Sequence, residues 1–391
     1  MSLRGAAAIV GLAELAPTRT TEETLLGLLA TVATGAIADA GLTLGEVDGL
    51  LLPADRGIPE GAPAAIAEHL GLRVRFAESV DLGGASAAGM VWRAAAAIAA
   101  GICTTCVCVT AATRHAPRPA AHSVARRRST PDRSPSAEFD APYGMVGANA
   151  GYAQIAMRYR HEYAVSDEQL AKIAVQQRDN AGVNPDALFR EPISIDDVLG
   201  SEVICDPLHL LEIVRPVAGA AAIVVTAADR AADGPNRPAW LLGAGEVLTH
   251  SSLSAAPSLT HTAVADVARG AFSMAGVAPI EIGFASLYDC YTIAVLLTLE
   301  DAGFCAKGEG GAFVEAHDLR WSGDFPLNTH GGQLSFGQAG YAGGMSHVTE
   351  AVRQLTKRAD GRQLADLDLA YVNGNGGLMS EQVGLVLGAS R

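Results

Sequence analysis

The stretch Val80-Asp-Leu-Gly-Gly-Ala-Ser-Ala-Ala-Gly-Met-Val91 decides the reading of the chain. A short apolar run reaches a Gly-Gly turn, and a helix then reads from Ala85 to Ala100 without a break. Such a turn leaves N–H groups unpaired at the positive end of the helix dipole, which makes it a natural anion site. It is also a setting in which a cysteine thiol is held as thiolate. No cysteine stands in this turn.

Outward from it, strands and helices alternate. Residues 7–13 read as a strand. Thr20-x-x-Glu23 has the form of a capping box and opens a helix bearing Leu25, Leu28, Leu29 and Val32 that ends near Gly41. Val47 to Leu52 is a short buried strand, 55–71 a loop with a small helix, Phe76 to Leu82 the run into the turn, and Cys106 to Ala111 the next strand. The alternation predicts an α/β fold with a mixed, mostly parallel sheet covered by helices. Residues 114–142 interrupt it with Arg, Pro, Ser and His, a composition that builds no core and reads as a loop insertion. Two helices follow, one through Tyr152, Ile155, Met157 and Tyr159, the other capped by Ser166-x-x-Gln169 over Glu168 to Asn180. Pro192 to His209 is irregular, and Ala221 to Thr226 is a strand.

The polar segment Asp229 to Pro238 separates two halves, 1–235 and 236–391. The second half repeats the theme: strands at Trp240–Leu248, Phe284–Leu287, Leu367–Val372 and Gln382–Leu387, and helices at Thr262–Ala275, Ile293–Ala302 and through Val348, Val352 and Leu355. Gly-rich turns lie at Asn328-Thr-His-Gly-Gly-Gln-Leu-Ser335, Gly337-Gln-Ala-Gly-Tyr-Ala-Gly-Gly344 and Asn373-Gly-Asn-Gly-Gly377. The expectation is a duplicated architecture facing a central site.

Composition narrows the function. The 391 residues carry a formal charge of −14, which speaks against general nucleic-acid binding but leaves room for a local basic pocket. No apolar run is long enough for a membrane span, and no secretion signal is evident, so a cytoplasmic setting with reduced thiols is expected. Cys103-x-x-Cys106 has no second Cys/His pair nearby and leads into a buried strand, so it reads as structural and no metal is expected in this chain.

These features resemble the thiolase superfamily over nearly the whole chain, in its branch of sterol-carrier-type thiolases and lipid-transfer proteins. The marks are Tyr288-Asp-Cys, Leu299-Glu-Asp-x-Gly-Phe-Cys-x-Lys-Gly-Glu-Gly-Gly311, Asn328-Thr-x-Gly-Gly and Glu350-Ala-Val-Arg-Gln-Leu355. The resemblance implies a thiolase-like fold of two similar halves, each with a mixed, mostly parallel sheet covered by helices, and a homodimer. It also shows what is missing. A thiolase carries Asn-x-x-Cys-x-Ser-Gly at the first turn; here Asp81 matches the Asn, Ala85-Ser86 follow in register, and Gly84 replaces the nucleophile. Gln338 stands at the Gly-His-Pro motif, and Asn373-Gly-Asn-Gly-Gly377 lacks the second cysteine. Without a thiol the acyl-enzyme route fails.

One thiolase-like subgroup lacks these residues and still works: the aldolases of steroid side-chain degradation. Resemblance to it implies retro-aldol cleavage of a β-hydroxyacyl-CoA to a ketone and a short acyl-CoA such as propionyl-CoA, with coenzyme A entering as part of the substrate. It implies, too, a small zinc-ribbon/OB-fold partner. Such a reaction needs a base for the β-hydroxyl, an acid for the enolate carbon and donors for the thioester oxygen. The candidates for proton work are Tyr288, Tyr291 and Tyr341, with His330 as donor or pocket wall. A tyrosine base would need its pKa lowered from about 10. Gln338, Asn373, Gly84 and Gly376 are candidate orienting or oxyanion groups, and Arg126, Arg127 and Arg128 of the basic loop could meet CoA phosphates. Two other readings stay open. One is a non-catalytic acyl-CoA or lipid-binding subunit; the other is a thiolase with an atypical nucleophile such as Cys290, whose neighbour Asp289 would oppose ionisation.

Overall fold

The computed structural model describes residues 3–54, 62–116 and 135–391. Its strands, in chain order, are β1 (Ala7–Glu14), β2 (Gly49–Pro53), β3 (Phe76–Val80), β4 (Thr105–Ala112), β5 (Val203–Cys205), β6 (Leu208–His209), β7 (Gly219–Ala227), β8 (Ala239–Leu248), β9 (Phe284–Leu287), β10 (Leu369–Gly376) and β11 (Glu381–Gly388). β5 and β6 form a small hairpin; the other nine join in the order β3-β2-β4-β7-β1-β8-β11-β10-β9.

The pairing pattern is written twice. From the centre outward, β1 pairs antiparallel with β7, β7 antiparallel with β4, and β4 parallel with β2. In the second half β8 pairs antiparallel with β11, β11 antiparallel with β10, and β10 parallel with β9. β2 continues parallel to β3, and β9 is matched there by a parallel bridge between Ala285 and Leu327. The sheet is thus mixed, with parallel pairing confined to its outer arms. The halves meet at β1 and β8 through Ala8↔Trp240 and Ile9↔Ala239, so the elements expected as two sheets run on as one ladder. The connection between β7 and β8 is the polar segment, where we propose the division into halves at 235/236.

Helices are placed by the same repetition. Helix Leu25–Asp39 lies on β1 so closely that a side chain on Gly11 would strike the Ala36 carbonyl, and helix Val264–Ala275 lies on β8 where Gly243 and Gly245 face the Ala271 and Val267 carbonyls. Only glycine admits that approach. Between these outer layers lie the helices Ser86–Ala99 and Tyr341–Leu355, packed on each other and buried along most of their length. Their small residues allow it: a Cβ on Gly344 would collide with the Gly84 carbonyl. Arg93 and Trp92 anchor the first of them to β8 through Glu246, with Nη2–Oε1 and Nε1–Oε2 both at 2.8 Å.

Several local expectations shift. The first long helix is capped by Thr24 instead of Thr20, its Oγ1 accepting from Gly27 N at 3.0 Å. Ser166 and Gln169 do form the capping box expected of them. The segment Asn373–Gly376, read as a turn, is the end of β10 paired to β11, and the turn falls after it. Strand pairing overrides the loop propensity of the Asn-Gly repeat because the segment is buried and paired with β11 along its length, with β9 joining at Asn373. Tyr341, read inside a Gly-rich turn, is the first residue of its helix.

Candidate active site

β9 ends at Leu287, and the chain continues with Tyr288, whose N–H donates to the Asn373 carbonyl at 3.2 Å. The next four side chains divide between two environments. Tyr288, Cys290 and Tyr291 line a cavity of about 130 Å³, completed by Gly84, Tyr152, Val214, Gln338, Asn375, Gly376 and Gly377 among others. Asp289 lies behind it, fully buried.

The Tyr288 ring explains the glycine at the helix turn. A Cβ built on Gly84 would overlap both the Tyr288 hydroxyl and ring Cζ, and would meet the Asn375 carbonyl at 2.5 Å. Tyrosine therefore fills the volume from which a cysteine would project. Glu381 crowds the same turn: a Cβ on Gly83 would come within 2.9 Å of its Oε2. Gln338 Nε2 donates to the Tyr288 oxygen at 3.1 Å. Gln338 itself is clamped by backbone, its N–H on the Arg215 carbonyl at 3.1 Å and its carbonyl accepting from Val217 N at 2.9 Å.

On the opposite wall Tyr152, from helix Gly147–Glu162, stacks on Tyr291 with ring centroids 4.1 Å apart. Tyr291 donates to Asn149 Oδ1 at 2.6 Å. Asn375 Nδ2 donates to the Tyr152 oxygen at 2.8 Å and lies 3.6 Å from Cys290 Sγ. Behind Asn375 runs a chain of amides: Gln382 Nε2 donates to Asn375 Oδ1 at 2.8 Å, and Asn373 Nδ2 to Gln382 Oε1 at 3.2 Å. Asn373 is thus two links from the cavity, and Asn375, on the same face of β10, is the residue that enters it.

Burial keeps this cavity uncharged. It raises the pKa of Tyr288, reinforced by Cys290, with the Gln338 bond opposing. Burial also raises Tyr291 and Tyr152, each with Cys290 adding to the shift. Cys290 is pushed up to about 12 by burial, with Tyr152 opposing and Asp289 adding to it. Burial therefore favours the protonated form of each of these groups. The lowered tyrosine pKa that a base would need is absent from both cavity tyrosines of the Tyr288–Tyr291 segment, and Cys290 is no resident thiolate.

His330 is fully buried beside this site, its ring 5.2 Å from His347 and 5.5 Å from Phe336, and burial, with His347 second, depresses its pKa well below the usual range. It does not line the cavity. Tyr341 also stands apart from the lining; it opens the helix whose Gly344 abuts Gly84, and its hydroxyl lies 3.5 Å from the Ala54 carbonyl. Arg126, Arg127 and Arg128 lie outside the described residues. Cys103 and Cys106 are buried with sulfurs 3.3 Å apart. Tyr152 and Asn375 were not singled out from sequence. Asn375 was legible in principle, two residues beyond Asn373 on one strand face; Tyr152 was not, since nothing local separates it from a core aromatic.

The fold is shared with an acetyl-CoA acetyltransferase from Syntrophomonas wolfei, which superposes with a TM-score of 0.72 over 98% of this chain and 99% of that one, at 15% identity. Residues 245–389 match the family model described as thiolase C-terminal domain-like. Similarity is greater to proteins with other chemistry. A steroid side-chain-cleaving aldolase from Thermomonospora curvata is 34% identical over 100% of this chain and 99% of its own length. A 17-hydroxy-3-oxo-4-pregnene-20-carboxyl-CoA lyase from Mycobacterium tuberculosis is 33% identical over 90% and 92%. The structure titled Ltp2-ChsH2(DUF35) aldolase superposes with a TM-score of 0.88 over 100% and 99%, at 33% identity. The chain belongs to this family of thiolase-like aldolases.

Proposed function

We propose that the protein cleaves the Cα–Cβ bond of a β-hydroxyacyl-CoA carrying a steroid-type acyl group by retro-aldol reaction. The β-hydroxyl loses its proton, its oxygen becomes the ketone carbonyl, and the bond electrons pass to the α-carbon as a thioester enolate. Protonation of that carbon releases the short acyl-CoA, so no proton is gained or lost overall. The observation that carries the reading is the Tyr288 hydroxyl in the space left by Gly84. A proton donor has taken the place of a nucleophile.

In this reading Tyr288, held protonated by burial, serves as acid toward the enolate, and Tyr291 serves as donor toward the thioester oxygen once its hydroxyl exchanges Asn149 for the substrate. Gln338 holds Tyr288, and the Gly84 and Gly376 backbones border the same space. Tyr341, which opens the central helix outside the cavity lining, is the group proposed to engage the β-hydroxyl, and His330, buried outside that lining as well, is proposed as a donor or wall of the larger substrate pocket. Coenzyme A arrives as part of the substrate. The assembly proposed is a homodimer joined by a small zinc-ribbon/OB-fold partner.

Product analysis by mass spectrometry tests this. A 17-hydroxy steroid β-hydroxyacyl-CoA should yield propionyl-CoA and a steroid ketone, with the partner supplied if it co-purifies. Shortened acyl-CoA from a 3-oxoacyl-CoA plus free CoA would instead mean thiolysis. Binding of both compounds without turnover would favour a carrier subunit.

A further inference from the structure

Tyr152 lines the cavity, yet the reaction scheme above gives it no task. A glycine brings it there. Helix Gly147–Glu162 lies so close to the segment after β10 that a Cβ on Gly151 would come within 2.6 Å of Leu378 Cδ1. Tyr152 and Ala148, one turn apart on that helix, share a face and border the cavity together.

The Tyr152 oxygen is gripped through a chain of amides with a fixed sense. Asn375 Nδ2 donates to it at 2.8 Å, Gln382 Nε2 to Asn375 Oδ1 at 2.8 Å, and Asn373 Nδ2 to Gln382 Oε1 at 3.2 Å. The last amide nitrogen also lies 3.5 Å from the Val383 carbonyl. Running the chain backwards would set Asn373 Oδ1 against that carbonyl, two acceptors facing each other in the core. The Tyr152 oxygen therefore accepts from Asn375, and its hydrogen must find a partner on another side. The protein offers poor ones. The Gly377 carbonyl is 3.5 Å away, beyond the roughly 2.7–2.8 Å usual for O–H···O. Cys290 Sγ borders the same space but is a weak acceptor. The Tyr291 hydrogen, by contrast, is spent on Asn149 at 2.6 Å. Tyr288 is held as Tyr152 is, from the other wall, its oxygen accepting from Gln338 at 3.1 Å.

We propose that Tyr152 is a further catalytic residue: its hydroxyl donates to the thioester oxygen of the substrate, across the cavity from Tyr288, with Asn375 fixing the direction of the donation. No bond forms or breaks at Tyr152. As the Cα–Cβ bond cleaves, negative charge collects on the thioester oxygen, and a donor already aimed there strengthens without rearrangement. Tyr291 stacks on Tyr152 with centroids 4.1 Å apart, so the two phenols serve one patch of the wall. Tyr152 is the donor that is ready before Tyr291 leaves Asn149. The inference deepens the retro-aldol reading and rests on it.

The experiment compares Tyr152→Phe and Tyr288→Phe in the full chain with its partner. Tyr152→Phe keeps the stack and removes only the hydroxyl; it is expected to lower kcat about a hundredfold to a thousandfold with KM nearly unchanged. The deciding readout is the infrared carbonyl band of bound propionyl-CoA, isotope-labelled at the thioester carbonyl. In the unsubstituted protein this band should lie below its position in water, and Tyr152→Phe should move it back up. A full rate in Tyr152→Phe, or a lowered rate with the band unmoved, overturns the donor role and leaves Tyr152 a packing partner of Tyr291. Should Tyr152→Phe fail to fold, Asn375→Asp carries the same readout: a carboxylate there draws the Tyr152 proton to itself, and the band should rise in the same way. Loss in Tyr288→Phe with a full rate in Tyr152→Phe sinks this inference alone. Full activity in Tyr288→Phe would sink the reading beneath it.

Discussion

The two sides of the segment Tyr288–Tyr291 differ in charge although they lie in one core. The cavity side holds tyrosines, a thiol and amides, all neutral. The rear side holds Asp289 with His347, and beyond them Glu350, which pairs with Arg362 at 2.8 and 2.9 Å and accepts from Thr329 Oγ1 at 2.6 Å. Burial alone would push Glu350 up, but Arg362 outweighs it and holds the carboxyl at about 2. Equal burial thus gives opposite outcomes, decided by whether a cation is within reach. The Glu350–Arg362 pair is ionised, while the cavity groups are held in their protonated forms.

Removing the hydroxyls proposed for the proton work, one in the cavity and one outside its lining, should cost most. Tyr288→Phe and Tyr341→Phe are each expected to drop turnover by about two orders of magnitude or more, with the thermal midpoint unchanged. Wild-type rates in the product assay would remove the variant residue from the mechanism. The rear side should answer in stability instead. Arg362→Met strands the Glu350 carboxylate and should cost about 3–5 kcal/mol in denaturant unfolding, while kcat per folded molecule holds. A loss of under about 1 kcal/mol would mean the pair contributes no more than a surface one.

Acid sharpens the contrast. Because the folded pKa of Glu350 is depressed, its contribution is fully present above the ordinary value near 4.5 and is lost as pH falls toward about 2. The difference amounts to roughly 3 kcal/mol, to be read from unfolding midpoints across that window. Glu350→Gln should flatten this dependence. The smallest effect expected is at the boundary between the sides and the helix turn. Gly84→Ala displaces the Tyr288 hydroxyl and should lower kcat about tenfold to a hundredfold, and Gly84→Cys should give no thiolase activity. Thiolysis by Gly84→Cys would show that the scaffold still accommodates the thiol.

Much of this was legible in the residues. The strand limits of Phe284–Leu287 and the course of the long buried helices follow from apolar runs and their period, because burial imprints spacing on the sequence. The site was legible as an absence, Gly84 where a thiol belongs, and as nearby hydroxyls. Asn373 illustrates the limit: local composition spoke for a turn, while pairing to β9 and β11 made it strand and moved the cavity amide to Asn375.

The sequence by itself determined the family, the repeated strand–turn–helix plan and the absence of a cysteine from the Gly-rich turns, since these depend on residue type and spacing. Only the tertiary structure decided that Tyr288 fills the Gly84 vacancy, that Tyr152 and Asn375 belong to the cavity, and that its tyrosines are held as acids. Those facts arise where residues hundreds of positions apart share one volume. Desolvation, which sets the protonation of each group, depends on what surrounds it in space and has no counterpart along the chain.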